Sequence, residues 1–324
     1  LAGHDSHGVV RTPRYVEAER NGHCFFGKTV TRVIDSDAFA LLDGNYGFGQ
    51  TIGPQAVAVG LEKAKKVGVS IVGLRNSAHI GRIGAWGELA LAEGFVSIHF
   101  VNVSAGPLVT PFGGAARRMS TNPICIAAPN PHGDDFLLDF ATSRIAEGKA
   151  LVALKGGRPV KMGDLVDGNG QPTDDPSVLY GESATDLTPN PRKGPGALVA
   201  MGEHKGSGLS LACDLLAGAL TGNGAHTGSD RVLNGMLSIY VSPEAMDDGH
   251  GWGQAIAEYV DLIRATRPAD PETPVMIPGD PERKAKAARM ASGVPLDPEA
   301  WENILRASES VGLDRGALKG LVGA

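Results

Sequence analysis

Apolar residues recur along this chain in two rhythms, and the switches between them lay out alternating strands and helices. A short helix is expected over 13–21, because Thr12 stands before Pro13 in the order of a cap residue and a first-turn proline, and Asn21-Gly22 supplies a left-handed stop. The apolar run 38–42 predicts a strand. After the glycine-rich stretch Gly44-Asn45-Tyr46-Gly47-Phe48-Gly49, a helix is predicted from about 51 to 67, with Val57, Leu61 and Ala64 at helical spacing. Residues 69–74 predict a strand, 82–93 a helix closed by Gly94, and 95–103 a strand. Further strands are expected at 124–128, 136–140 and 236–241, and helices at 144–154, 206–220, 252–266, 281–291 and 298–311. The alternation lacks a strict βαβ rhythm, which predicts a mixed α/β class. The charged, proline-rich stretch 158–192, with Pro172-Thr173-Asp174-Asp175-Pro176 and Pro189-Asn190-Pro191, is expected to run over the surface as an extended excursion suited to a subunit contact.

Composition narrows the functional classes. A chain of 324 residues with 42% apolar and 20% charged residues has the balance of a soluble globular protein, long enough for two lobes. Its formal charge of -6 is spread along the chain without a basic stripe, so nucleic acid is not an expected partner. No apolar run approaches the roughly 20 residues of a membrane helix and no leader pattern opens the chain, so no membrane and a cytoplasmic address are expected. Cys24, Cys125 and Cys213 are widely spaced and read as packing groups. No His-x3-His or His-Glu-x-x-His run occurs, so no catalytic metal is expected. The chain starts at Leu1 and leads at once into a dense polar motif, from which a missing N-terminal segment is expected.

Candidate chemistry begins with the glycine run, since a strand, a glycine turn and a helix N-terminus together make a pyrophosphate site. Here Gly47-x-Gly49 is followed by Gly53 after three residues where the dinucleotide fingerprint takes two, so a structural turn is the better reading. More informative is the stretch from Ser6 to Tyr15, which places a hydroxyl, the His7 imidazole, the Arg11 guanidinium and a phenol within ten residues of a loop-to-helix junction. Together they offer a planar clamp for a carboxylate and a group that passes a proton near neutral pH. A second imidazole, His79, follows the strand at 69–74 in Arg75-Asn76-Ser77-Ala78-His79-Ile80-Gly81; capping of its own helix is the plainer alternative. Three later segments suit a dinucleotide: Met119-Ser120-Thr121-Asn122-Pro123 before a strand, Asp139-Phe140-Ala141-Thr142-Ser143 ending one, and Gly202-Glu203-His204-Lys205-Gly206 opening a helix. Ordinary capping by Thr142 and Ser143 is the alternative for the second.

In this order the pieces resemble the malate/L-lactate dehydrogenase-like family of NAD(P)-dependent oxidoreductases. The matching stretches are Ser-His-Gly-x-x-Arg at 6–11 with Tyr15, Asn-Ser-x-His-x-Gly at 76–81, Pro-Phe-Gly-Gly at 111–114 and Thr-Asn-Pro-Ile at 121–124. Asp-Phe-Ala-Thr-Ser at 139–143, His-Lys-Gly at 204–206 and Pro-Gly-Asp at 278–280 complete the set, which spans nearly the whole chain. The resemblance implies a mixed, non-Rossmann sheet in a cofactor-binding lobe (76–249) and a second α/β lobe for substrate and dimerisation built from both chain ends (1–75 with 250–324). It also implies a homodimer and a small 2-hydroxy or 2-oxo acid as substrate, with reduction of cyclic 2-imino acids or a non-catalytic relic of the scaffold as alternatives. His7 and His79 are then the proton-transfer candidates. Arg11 clamps the carboxylate, with Ser6, Tyr15 and Ser104 beside the substrate. His79, Thr121, Asn122, Pro123, Asp139, Phe140, Ala141, Thr142, Ser143, His204, Lys205, Gly206, Gly279, Asp280, Glu282 and Arg283 contact NAD or NADP. Two departures are visible: Ala105-Gly106 follows Ser104 where relatives carry a polar or acidic residue, and Met162-Gly163-Asp164 replaces a Gly-Trp-Ala step. Arg75, Arg82, Arg144 and Arg283 are the arginines available in principle to a 2′-phosphate.

Overall fold

The computed structural model describes residues 2–104, 106–185, 189–225 and 231–321, the side chains of Ser6 and Leu321 excepted. The first helix, α1 (Thr12–Arg20), ends at the expected left-handed Gly22 but does not start as expected. A 3₁₀ turn, Val9–Arg11, runs directly into it, so Thr12 is already helical and its hydroxyl donates to the Val9 carbonyl at 2.7 Å, with no cap position left for it. Strand β1 (Thr31–Asp35) leads to β2 (Phe39–Asp43), helix α2 (Gly49–Val67) and β3 (Val69–Ala78). Then follow α3 (Gly84–Ala92), β4 (Val96–Val103), β5 (Val109–Thr110), β6 (Pro123–Ala128), β7 (Phe136–Ala141) and α4 (Glu147–Lys155). Three short strands, β8 (Leu165–Val166), β9 (Pro172–Thr173) and β10 (Ala197–Val199), precede α5 (His204–Cys213), which continues as a π turn over Asp214–Ala219. Last come β11 (Leu233–Val241) and helices α6 (Pro243–Met246), α7 (Trp252–Arg264), α8 (Asp280–Ser292), α9 (Pro298–Glu309) and α10 (Arg315–Leu321).

Seven strands form one mixed sheet in the order β1-β2-β3-β11-β4-β6-β7, in which only β2 and β3 run parallel. A doubly wound nucleotide fold needs parallel neighbours throughout its core, so the non-Rossmann expectation holds. Helices cover one face of the sheet and part of the other. Helices α2 and α3 pack on the first, burying Ile52, Ala56, Val57 and Trp86 against Leu42, Val72, Leu74 and Tyr240, while α5 and its π turn lie on the second. The expected lobe boundary after residue 75 falls inside β3.

The glycine run serves this packing. A Cβ on Gly49 would stand 2.1 Å from the His79 carbonyl oxygen, and one on Gly53 would stand 2.5 Å from the Trp86 ring, so the start of α2 lies against the His79 backbone with no room for a phosphate. The turn amides are also engaged: Gly44 donates to Arg75, Tyr46 to Asn76 and Gly47 to Gly44.

The stretch 158–192 is not a bare excursion. It contributes β8, β9 and two 3₁₀ turns to a second, four-stranded sheet (β5-β10-β8-β9) with its own core of Leu108, Val109, Leu165, Leu179, Tyr180 and Leu198. Arg117 staples it, donating to the carbonyls of Gly196, Pro191, Leu179 and Gly194. Elsewhere the chain ends meet. Helix α1 packs on α9, and the N-terminal loop is tied to α8 by a two-pronged Asp5–Arg289 ion pair and by His4 to Glu282 at 2.9 Å.

Candidate active site

Strand register gathers the motifs at one end of the large sheet. Leu233, at the start of β11, pairs with Ala78 at the end of β3, and Asn234 pairs with Val103 at the end of β4. On the far side, Pro123 at the start of β6 faces Ala141 at the end of β7. His79, Ser104, Thr121–Pro123 and Thr142–Ser143 therefore all leave or enter the sheet at the same end. The chain before α5 joins them, since the Met201 amide donates to the Thr142 carbonyl at 2.8 Å.

The N-terminal motif lies against this end. The His7 and His79 rings are nearly parallel with centroids 5.6 Å apart, and the Tyr15 hydroxyl lies 2.9 Å from His79 Nδ1. The Gly81 amide also donates to His79 Nδ1, at 3.3 Å, and the Gln50 amide donates to the Tyr15 oxygen at 2.7 Å. Burial first, then the charges of Arg11, His7 and Arg14, lower the His79 imidazole to about 3. His7 is exposed on its open side, yet the protein around it and the charges of Arg11 and His4 bring it down to about 4. Both rings are therefore neutral near pH 7. Arg11, half-buried, is itself pulled down by burial and by Arg14, with Glu147 opposing, but a guanidinium stays charged through such shifts. Two neutral imidazoles beside a cationic fork suit an anion that must exchange a proton. Ser6's side chain lies outside the described residues, as does Ala105.

The other expected site residues divide by what already engages them. Ser104 is buried and bonds the Leu233 carbonyl. Asn122 is buried, accepting from the Val103 amide and donating to Ser210, and Thr142 donates to the Asn122 carbonyl at 2.8 Å. Ser143 turns to Ile145; neither it nor Thr142 caps α4, which begins at Glu147. Asp139 accepts from the Gly84 amide at the start of α3, and burial raises its carboxyl. Pro123, Phe140 and Ala141 are strand residues, half-buried like Thr121. His204 and Lys205 are exposed at the start of α5, with His204 5.9 Å from the Phe112 ring, whereas Gly206 is buried so tightly that a Cβ would meet the Met201 carbonyl oxygen at 1.9 Å. Glu203, just before, holds a left-handed φ of 58°.

The 279–283 segment sits apart from these, at the beginning of β7. The Pro278 carbonyl accepts from Leu137, Arg283 donates to the Asp135 carbonyl, and Asp280 is held by Arg264, Arg283 and the Ile277 amide; Gly279 is the left-handed residue that starts α8. Glu282 reaches the N-terminal loop through His4. The four arginines considered for a 2′-phosphate are each paired with carboxylates: Arg75 with Asp43, Arg82 with Glu88 and Asp139, Arg144 with Asp164, and Arg283 with Asp280. A cavity of about 270 Å³ over the small sheet, between the 110–115 loop, Gln171 and Glu203, is lined by none of His7, Arg11, Tyr15 or His79 and is separate from this cluster. Sequence reasoning passed over Gln50, although it is the first polar side chain after a glycine run at a strand's carboxyl end.

Known proteins resemble this chain over nearly its whole length. The malate/L-lactate dehydrogenase family matches residues 1–305. Hydroxycarboxylate dehydrogenase B of Escherichia coli (strain K12) is 39% identical over 327 residues, covering 98% of this chain and 86% of that protein. A structure from E. coli described as a malate/lactate dehydrogenase superposes with a TM-score of 0.91 at 37% identity, covering 100% of this chain and 88% of the other. Sulfolactate dehydrogenase from Methanocaldococcus jannaschii does so with a TM-score of 0.84 at 31% identity, covering 98% and 88%. A likeness that runs from end to end at this level of identity leaves one assignment: the chain belongs to the malate/L-lactate dehydrogenase family and is an oxidoreductase of hydroxy acids.

Proposed function

We propose that the protein interconverts a small 2-hydroxy acid and its 2-oxo form with NAD or NADP, Arg11 holding the substrate carboxylate and His7 or His79 passing the proton. The observation that carries this reading is the stack of two neutral imidazoles, 5.6 Å apart, beside the Arg11 guanidinium and the Tyr15 phenol. The planar fork of Arg11 matches a carboxylate with two parallel hydrogen bonds and so fixes the direction of the neighbouring carbon. Arg14 adds positive charge at the same place. A neutral imidazole accepts the hydroxyl proton as the acid is oxidised and returns it on reduction, which contributes about 10² to 10⁴ in rate. A nicotinamide cofactor, when bound, would supply or take the hydride.

The residues present fit such a cofactor. Lys205 stands exposed at the N-terminus of the ten-residue α5, where the helix dipole and a lysine suit a pyrophosphate. The 121–123 and 139–143 segments would contribute mainly backbone groups, because the side chains of Asn122, Thr142 and Ser143 are already bonded within the protein. Residues 279–283 would act by holding the N-terminal loop through Glu282. The ion pairs of Arg75, Arg82, Arg144 and Arg283 favour NAD over NADP. A substrate lobe formed by the two chain ends is supported by the packing of α1 on α9. A homodimer is supported by the exposed Phe39, Val69 and Ile71 on the sheet and Leu211, Leu215 and Leu220 on the α5 segment. No helix among the described residues is long and apolar enough to cross a membrane, and a cytoplasmic place fits that composition.

Initial rates with a panel of 2-hydroxy, 2-oxo and cyclic 2-imino acids, each with both cofactors, test the reading. Saturable turnover of a 2-hydroxy or 2-oxo acid is expected. Turnover of imino acids alone, or no saturable cofactor binding by fluorescence, would replace it with the imino-acid or relic alternative.

A further inference from the structure

We infer that Gln50 is a positioning residue which sets the tautomer of His79, so that the ring presents an Nε2–H to the substrate oxygen. The inference rests on the proposed function in the form that gives the proton to His7: a ring carrying Nε2–H cannot accept the hydroxyl proton, so His79 meets the substrate oxygen as a hydrogen-bond donor. Its basis is a directed chain of hydrogen bonds. Gln50 Nε2 lies 2.7 Å from the Tyr15 oxygen, that oxygen lies 2.9 Å from His79 Nδ1, and the Gly81 amide approaches the same Nδ1 at 3.3 Å.

A backbone N–H is always a donor, so Gly81 requires a lone pair on Nδ1. Tyr15 has one hydroxyl hydrogen to give, and with Gln50 donating to its oxygen that hydrogen points to Nδ1. Burial and Arg11 keep the ring neutral, with a single N–H, so the hydrogen sits on Nε2. A neutral imidazole N–H in this position polarises a carbonyl as an electrophile.

The opposite orientation of the Gln50 amide would turn Oε1 toward Tyr15, draw the phenol hydrogen away, and set an Nδ1–H against the Gly81 N–H. Only the first orientation leaves Nδ1 able to accept from Gly81, and in it Oε1 is buried with no hydrogen-bond partner among the described residues. Gly81 makes room for the arrangement. It has a left-handed φ of 74°, and a Cβ there would stand 3.1 Å from Gln50 Nε2.

The test is a ¹⁵N NMR measurement of the ring nitrogens in the intact chain with labelled histidine, His79 being identified by the signal lost in His79→Asn. Wild type is expected to show a bare Nδ1 and a protonated Nε2. Gln50→Glu, whose carboxylate only accepts, should move the proton to Nδ1 and lower turnover about a hundredfold, with the cofactor KM unchanged. Gln50→Met, which neither donates nor accepts, should give a mixture of tautomers and a smaller loss, and it keeps the test open if the glutamate variant does not fold. A protonated Nδ1 in wild type, or identical ring signals in wild type and Gln50→Glu, overturns the inference. The readout is independent of turnover. The expected tautomer in a chain that turns over no hydroxy acid would sink the proposed function alone, whereas an active enzyme with Nδ1–H would sink this inference alone.

Discussion

Replacing Gly49 with alanine asks whether the glycine run exists for packing and whether His79 depends on it. The added Cβ would stand 2.1 Å from the His79 carbonyl oxygen, 2.4 Å from its carbon and 2.7 Å from the Ala78 oxygen, all backbone atoms that cannot swing aside. Ordinary contact begins at 3.4 Å, so the start of α2 or the His79 backbone must yield by about 1.3 Å. Forcing an atom into a packed region costs about 1–3 kcal/mol, which at roughly 2 °C per kcal/mol for a chain of this size lowers the melting temperature by about 2–6 °C. The effect on chemistry should be larger, since a displacement of about 1 Å in a reacting group costs on the order of a hundredfold in turnover. Gly208→Ala is the control. Its Cβ meets nothing within 4 Å on α5, and it should stabilise by about 0.5–1 kcal/mol. Melting curves and initial rates at saturating cofactor provide the two readouts, and cofactor binding should persist in both variants. If Gly49→Ala melts and turns over like wild type, the packing account of this loop is wrong.

Arg11→Lys keeps the charge but loses the planar fork, so the substrate KM should rise at least about tenfold with cofactor binding unchanged; a native KM would remove the clamp. His99 is fully buried between Ser97 and Ser238, and burial lowers it to about 3, so below pH 6.5 the unfolded chain binds a proton there that the folded chain refuses. Stability owed to this group is thus complete above pH 6.5 and is lost as pH falls toward 3. Relative to His99→Gln, wild type should weaken by up to about 1.4 kcal/mol per pH unit across that window, and denaturant titrations giving a pH-independent difference would refute the assignment. Arg117→Met strips a donor from four carbonyls that converge on one guanidinium. It should cost at least about 3 kcal/mol and expose 158–199 to limited proteolysis, and an uncut, equally stable variant would show that the staple is idle.

The candidate site was legible where chemistry is local. His7, Arg11 and Tyr15 lie within one loop and helix, and the segments at 121–123, 139–143 and 204–206 carry recognisable polar strings. Their roles were less legible. Asn122 and Thr142 look like ligand groups in sequence but are engaged in joining β6, β7 and α5, because a buried polar side chain must find a partner and the nearest one here is the protein itself. Asp280 and Arg283 satisfy each other for the same reason. Gln50 carried no motif; its meaning comes from Tyr15, thirty-five positions away, and from His79 beyond it.

Local pattern determined most of the long elements, because periodic apolar burial and end signals act within a few residues: α2, the greater part of β3 and β11, and helices α7, α8 and α9 follow from it, whereas 75–78, 233–235, α6 and α10 do not. Pattern did not reveal β1, whose five residues are all exposed, or the two- and three-residue strands of the small sheet, which are too short to show a period. Tertiary structure alone decided the strand order that brings the ends of β3, β4 and β7 to one end of the sheet, and the contact that lays His7 beside His79. Those depend on pairings between residues tens to hundreds of positions apart, whose free energy is set by packing and register and leaves no mark on the neighbouring sequence.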